Sequence, residues 1–139
     1  MSKTCAICSK ELNSGVVVHE ERIQNKKRLS IDKKFIYICS PVRGDVERNI
    51  EKARTYCKRV LDIGCIPIAP HVMFDGLLHD DIPEERIQAL EIGLQLVRMC
   101  DELWVFGEKI SSGMEAEILL ANGLNIPIKY MMEKNDENK

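Results

Sequence analysis

From residue 35 onward, short continuous apolar runs alternate with longer segments whose apolar residues recur every three to four positions. A run apolar at every position suits a strand buried on both faces, and a 3.6-residue period suits a helix with one buried face. Phe35-Ile36-Tyr37-Ile38-Cys39 is the first such run, closed by the turn residues Ser40, Pro41, Val42, Arg43, Gly44 and Asp45. A helix follows, with Val46, Ile50, Ala53, Cys57 and Val60 on one stripe and an end near Gly64. Ile66-Pro67-Ile68-Ala69 predicts a second strand, and Pro67 suits an end or an edge because it lacks a ladder donor. Residues 70–82 read as a long loop. Pro83 opens a second helix that carries Ile87, Leu90, Leu94 and Val97 along one face. Residues 101–106 predict a third strand. Ser111-Ser112-Gly113 leads into a third helix ending near Gly123, and Ile126-Pro127-Ile128 begins a fourth strand.

Strands separated by helices need crossover connections, which are right-handed and give a parallel sheet. The expected fold is therefore α/β: a three-layer sandwich, flavodoxin- or Rossmann-like, with a four- to five-stranded parallel sheet. In such sheets ligands sit beyond the carboxyl ends of the strands, here the loops 40–45, 70–82 and 107–113. Three regions are expected: a Cys-containing appendage and linker over 1–34, the α/β domain over 35–132, and a charged tail over 133–139.

A length of 139 residues fits one core. The formal net charge of −2 argues against extended nucleic acid as a partner, since neutralising many phosphates needs a basic excess. Small anions need only a local cation or two. No apolar run approaches 18 residues and no charged-then-apolar leader is present, so no membrane partner and a cytoplasmic location are expected. Cys39, Cys57, Cys65 and Cys100 fall inside apolar periodic segments, where reduced cysteine acts as a small hydrophobe. In the head, Cys5, Cys8 and His19 resemble part of a zinc knuckle, a structural metal site. The fourth ligand would fall at Arg22, which cannot ligate, so Glu21 or a partner chain would have to serve.

Glu117 is the most informative residue. It shares the stripe of Met114, Ile118 and Ala121, and a carboxylate turned toward a core is costly unless it is paired or lines a cavity. Gly113, one turn earlier, would leave it uncovered. The alternative is a carboxylate ion-paired at the core margin. Arg43 and Gly44, with Ser111, Ser112 and Gly113 at a helix amino end, could hold one phosphate or carboxylate; equally, Asp45 and a serine could be ordinary caps and Arg43 a surface charge. His71, ending the second strand, could touch a base or sugar or be structural. Tyr37 and Trp104 are assigned to the core, and Asp101 to a strand start.

The segments Tyr37 to Asp45, Pro67 to His71, Cys100 to Gly107 and Ser111 to Glu117 resemble the nucleoside 2-deoxyribosyltransferase-like superfamily, especially its small uncharacterised phage and bacterial branch. The first loop and the glycine-to-glutamate spacing are also similar to the 2'-deoxynucleoside 5'-monophosphate N-glycosidases. The resemblance implies hydrolysis or transfer at an N-glycosidic bond of a small nucleoside or nucleotide, with Glu117 as nucleophile, and a homo-oligomer that needs no cofactor for catalysis. It further implies phosphate binding by Arg43 and Ser111, and the strand-end loops add Ser40, Gly44, Asp45, His71, Ser112 and Gly113 as candidate substrate-binding residues. One departure stands out: the acid expected on the second helix, eight residues before Asp101, is Gly93. Glu91, nearby but displaced, or an aspartate of the 70–82 loop would have to assist departure of the base, and the missing acid leaves non-catalytic nucleotide binding as the alternative.

Overall fold

The structure is a computed structural model that describes residues 3–4, 11–12, 29 and 31–132. The chain divides into two units, Met1–Asp32 and Lys33–Lys139. In the first, β1 (Lys3–Thr4) and β2 (Glu11–Leu12) pair antiparallel, Lys3 opposite Leu12 and Thr4 opposite Glu11.

The second unit is the α/β domain. Its elements are β3 (Phe35–Cys39), α1 (Val46–Asp62), β4 (Ile66–Ile68), α2 (Pro70–Met73), α3 (Pro83–Met99), β5 (Glu102–Gly107), α4 (Ser112–Gly123) and β6 (Ile128–Met132). The four strands form one parallel sheet in the order β4-β3-β5-β6. Tyr37 stands beside Ile68 on one side and Leu103 on the other. Pro67 lies on the edge strand, where its missing donor breaks only one ladder.

The alternation of β3 side chains separates two cores. Ile36 and Ile38 pack with Tyr56 and Val60 of α1 and with Trp104 and Phe106 of β5. Tyr56 stacks on Phe106 with ring centroids 4.3 Å apart. Tyr37 and Cys39 face the other way, onto Val97 of α3 and Met114, Ile118 and Ala121 of α4. Helices thus cover both faces, the three-layer sandwich that the alternation predicts. No helix among the described residues is long and apolar enough to cross a membrane.

Local chemistry sets the helix starts. The Asp45 carboxylate accepts from the Arg48 amide at 3.3 Å at the head of α1, and Ser111 Oγ accepts from the Met114 amide at 3.3 Å at the head of α4. Proline occupies the first turn of α3, followed by Glu84 and Glu85, with Arg98 in the last turn, so both ends complement the helix dipole.

Two expectations need correction. Residues 70–82 are not all loop, because Pro70 starts the single turn α2. Ile87 and Leu90 of α3 do not point into the core: they are 58% and 45% exposed, and of that stripe only Val97 is fully buried. The chain runs from β3 to β4 on one side, then returns past β3 to β5 on the other. Connections leave that point in opposite directions, which opens a crevice beyond the strand ends, and the two α3 side chains face it.

Candidate active site

That crevice is a cleft of about 750 Å³, within the roughly 300–1,000 Å³ usual for small-molecule sites. Tyr37, Ser40 and Arg43 come from β3 and its loop, and His71 and Phe74 from α2 and its end. Asp75, Leu78, His79, Asp80 and Asp81 follow from the next loop, Arg86, Ile87, Leu90 and Gly93 from α3, and Ser111, Ser112, Gly113 and Glu117 from α4.

Glu117, the leading candidate from sequence, lines this cleft. The residue is partly exposed but its carboxyl is buried, and Tyr37 of β3 donates its phenolic hydrogen to Glu117 Oε2. Burial pushes the Glu117 carboxyl up to about 7, and the Tyr37 hydroxyl and Cys39 thiol offset only part of that. Tyr37 itself is held well above the usual phenol range, first by burial and then by the adjacent Glu117 charge. Cys39 is raised for the same two reasons, in the same order. Among the described residues no cation pairs with Glu117, so the ion-paired alternative is not what holds it. A neutral phenol does.

Space for this pair comes from Gly93 of α3. A Cβ there would lie 3.1 Å from Tyr37 Oη and 3.3 Å from Glu117 Oε2. Gly113, which the sequence singles out as uncovering Glu117, has nothing within 4 Å of its Cβ position and lines the open mouth instead. A glycine does make room for the carboxyl, but it lies on the facing helix rather than one turn upstream.

His71 Nε2 and Ser40 Oγ share a hydrogen bond of 2.9 Å, and burial lowers His71 to about 4, so the imidazole is neutral near pH 7. Arg43 is exposed and pairs with Asp80 at 3.3 Å. Ser111 serves as the cap of α4 while also lining the cleft, so the cap reading and the site reading hold together. Gly44 adopts φ +95°, a turn that favours glycine, and does not line the cleft. Asp45 caps α1 and borders a second, smaller cavity of about 310 Å³, which Ser40 and Arg43 also border.

The structure therefore brings Ser40, Arg43, His71, Ser111, Ser112 and Gly113 to the cleft with Glu117. It does not bring Glu91, which is exposed on α3 and away from the cleft lining. Tyr37, assigned to the core from sequence, is both core and site. Its signal was available: a phenol in a buried strand needs an acceptor, and Glu117 is the unpaired carboxyl on the facing stripe. Cys5, Cys8 and His19 lie outside the described residues. Among the described residues no group of three or more His, Cys, Asp and Glu side chains could hold a metal ion.

The family model described as a domain of unknown function, DUF7768, matches residues 34–131, a span that includes every residue of the cleft. The chain belongs to the DUF7768 family. No curated protein matches the sequence. Among solved structures, the DUF7768 domain is similar to a 2-deoxyribosyltransferase from Bacillus psychrosaccharolyticus, at a TM-score of 0.60 and 15% identity, over 73% of this chain and 74% of that one. It is also similar to a 2-desoxiribosyltransferase from Leishmania mexicana, at 0.54 and 15%, over 73% of this chain and 65% of that one. At such identity the likeness establishes a shared fold, and the domain spans just under two thirds of the Leishmania protein.

Proposed function

We propose that this DUF7768 protein hydrolyses or transfers at the N-glycosidic bond of a small nucleoside or nucleotide, with Glu117 as the nucleophile. One observation carries the reading: an acidic side chain with no charged partner among the described residues stands on the wall of a ligand-sized cleft, oriented by a buried phenol. The shared fold with two proteins named as deoxyribosyltransferases supports it.

Glu117 as carboxylate attacks the anomeric carbon while the base departs, giving a glycosyl ester that water or a second base resolves. Tyr37 fixes the attacking oxygen by its hydrogen bond. Arg43 and the amino end of α4, at Ser111, Ser112 and Gly113, offer donors to a phosphate or sugar hydroxyl. His71 and Ser40 offer a neutral polar pair beside them. No cofactor enters these steps. Because Glu117 ionises near pH 7, the rate rises with pH through that value.

The test is release of free base from deoxynucleosides, ribonucleosides and their 5'-monophosphates, with Glu117→Gln as control. Release by the native protein and none by the variant is expected, and equal release by both removes Glu117 from the chemistry. The second reading, non-catalytic nucleotide binding, is favoured by the glycine at position 93 and the outward placement of Glu91. Mass spectrometry of ligand recovered after a thermal-shift screen separates the two, since a binder returns its nucleotide intact.

A further inference from the structure

Departure of an ordinary purine or pyrimidine leaves charge on nitrogen, which an enzyme relieves with a proton from a positioned acid. The other titratable groups of this cleft are engaged or open to water. Asp80 pairs with Arg43 at 3.3 Å, Asp75 with Arg54 at 3.7 Å, and His79 with Glu85 at 2.9 Å. His71 is neutral and bonded to Ser40, while Asp81 is exposed at the rim. On α3 directly beside Glu117, Gly93 supplies no acid, and the Tyr37–Glu117 pair fills the space that a side chain there would take.

Resting on the proposed glycosidic chemistry, we infer that this site cleaves N-glycosides whose leaving base already carries a quaternary ring nitrogen, such as an N-glycosyl pyridinium or an N7-alkylated purine. Such a base needs no proton to leave. A Glu117 oxygen bonds to the anomeric carbon as the carbon–nitrogen bond breaks, and both electrons of that bond neutralise the ring cation. Water then adds at the anomeric carbon, the ester bond returns its electrons to the Glu117 carboxylate, and the spare proton passes to solvent.

Two further observations fit a cationic ring. Four carboxyl groups line the cleft (Asp75, Asp80, Asp81 and Glu117) against Arg43 and Arg86, with Arg54 paired to Asp75 from outside the lining, so carboxyls still outnumber arginines. A fixed positive charge beside Glu117 also favours its anion, so the substrate itself would bring a carboxyl of pKa about 7 into its nucleophilic form. A neutral nucleoside supplies no such push.

The experiment follows base release by chromatography from nicotinamide mononucleotide and 7-methylguanosine 5'-monophosphate. Guanosine, deoxyguanosine and thymidine 5'-monophosphates run in parallel, each with native protein and Glu117→Gln. Release from one or both cationic compounds, lowered about a thousandfold or more by the substitution, and no Glu117-dependent release from the neutral ones, is expected; the two cationic arms separate a pyridinium from a purine preference. Glu117-dependent release from the neutral compounds overturns this inference and leaves the glycosidic reading standing. Release from none of them overturns both.

Discussion

Two carboxyl groups with little exposure, Glu102 and Glu117, belong to the same domain and are treated in opposite ways. Glu102, at the start of β5, is 8% exposed and surrounded by donors. Trp104 Nε1 donates to it at 2.9 Å, Lys34 Nζ lies at 3.1 Å and Lys129 Nζ at 3.5 Å. The indole and the two lysines hold its carboxyl below the usual range despite burial. Glu117 receives only neutral donors, and burial wins. The first carboxylate is charged and fully committed to its neighbours, as a structural group should be. The second is poised near neutrality with a side open to a cleft, which is the usual condition of a group that does chemistry.

The largest expected effect separates the two by activity. On the proposed mechanism, Glu117→Gln lowers base release by about a thousandfold or more, the scale of losing a covalent nucleophile, while Glu102→Gln changes it less than about tenfold once the protein is folded. Loss of activity in both variants alike would dissolve the contrast.

Stability should divide them with opposite signs. Glu117 keeps its proton to about pH 7 when folded, whereas the unfolded chain releases it near the ordinary value of 4.5. The native state is thus favoured in full below that lower value, and the advantage is lost as pH rises to 7. Glu117→Gln should therefore stabilise the protein above pH 7, by about 3 kcal/mol from a shift of this size, and leave it little changed at pH 4. Glu102 is the reverse case: its contribution is present above the unfolded value and lost as pH falls through its lowered folded value. Glu102→Gln should cost about 1–2 kcal/mol at pH 7, the lysines being exposed and screened, and progressively less in acid. Denaturant melts at pH 4, 6 and 8 give both curves; parallel curves would mean the two carboxyls are not differently held.

How far sequence could see this contrast depends on what each residue touches. The strand runs, the helix positions and caps at Asp45 and at Ser111 or Ser112 follow from local chemistry, and the sequence shows them. Glu117 was legible too, as a carboxyl on an apolar stripe. Glu102 was not, because its partners come from positions 34, 104 and 129, and only the registry of β3, β5 and β6 brings them together. Tyr37 reads as core because its strand is apolar throughout, and its acceptor lies 80 residues later. Gly93 reads from sequence only as a missing acid, because its packing role requires knowing that α3 faces α4 over Tyr37. The same blindness put Ile87 and Leu90 in the core, for helical periodicity reports an apolar face without saying whether protein or a cleft lies opposite.

A subtler change acts on Glu117 through its partner. Tyr37→Phe removes the donor that favours the Glu117 anion, so the carboxyl should titrate above 7 and the pH–rate profile should move to higher pH. The stability cost of the lost bond, about 1 kcal/mol, should be greatest above pH 7 where the carboxylate is left without its donor. A carboxyl resonance in NMR that titrates unchanged in the variant would show that the phenol does not set the protonation of Glu117.

The smallest effect tests how much of the Glu102 network is redundant. Lys129 contributes two weak contacts, one to Glu102 Oε1 at 3.5 Å and one over the Trp104 ring at 5.2 Å from its centroid. It is more than half exposed, so water and salt screen both contacts. Lys129→Ala should cost less than about 1 kcal/mol, and the cost should shrink further in 1 M salt and at pH 3. Glu102 would still be held by Trp104 and Lys34, whose hydrogen bonds are shorter. A loss as large as that of Glu102→Gln would instead mean that Lys129 is what keeps the buried carboxylate charged. The distinction from Glu117 would then rest on one exposed cation rather than on the set of donors around it.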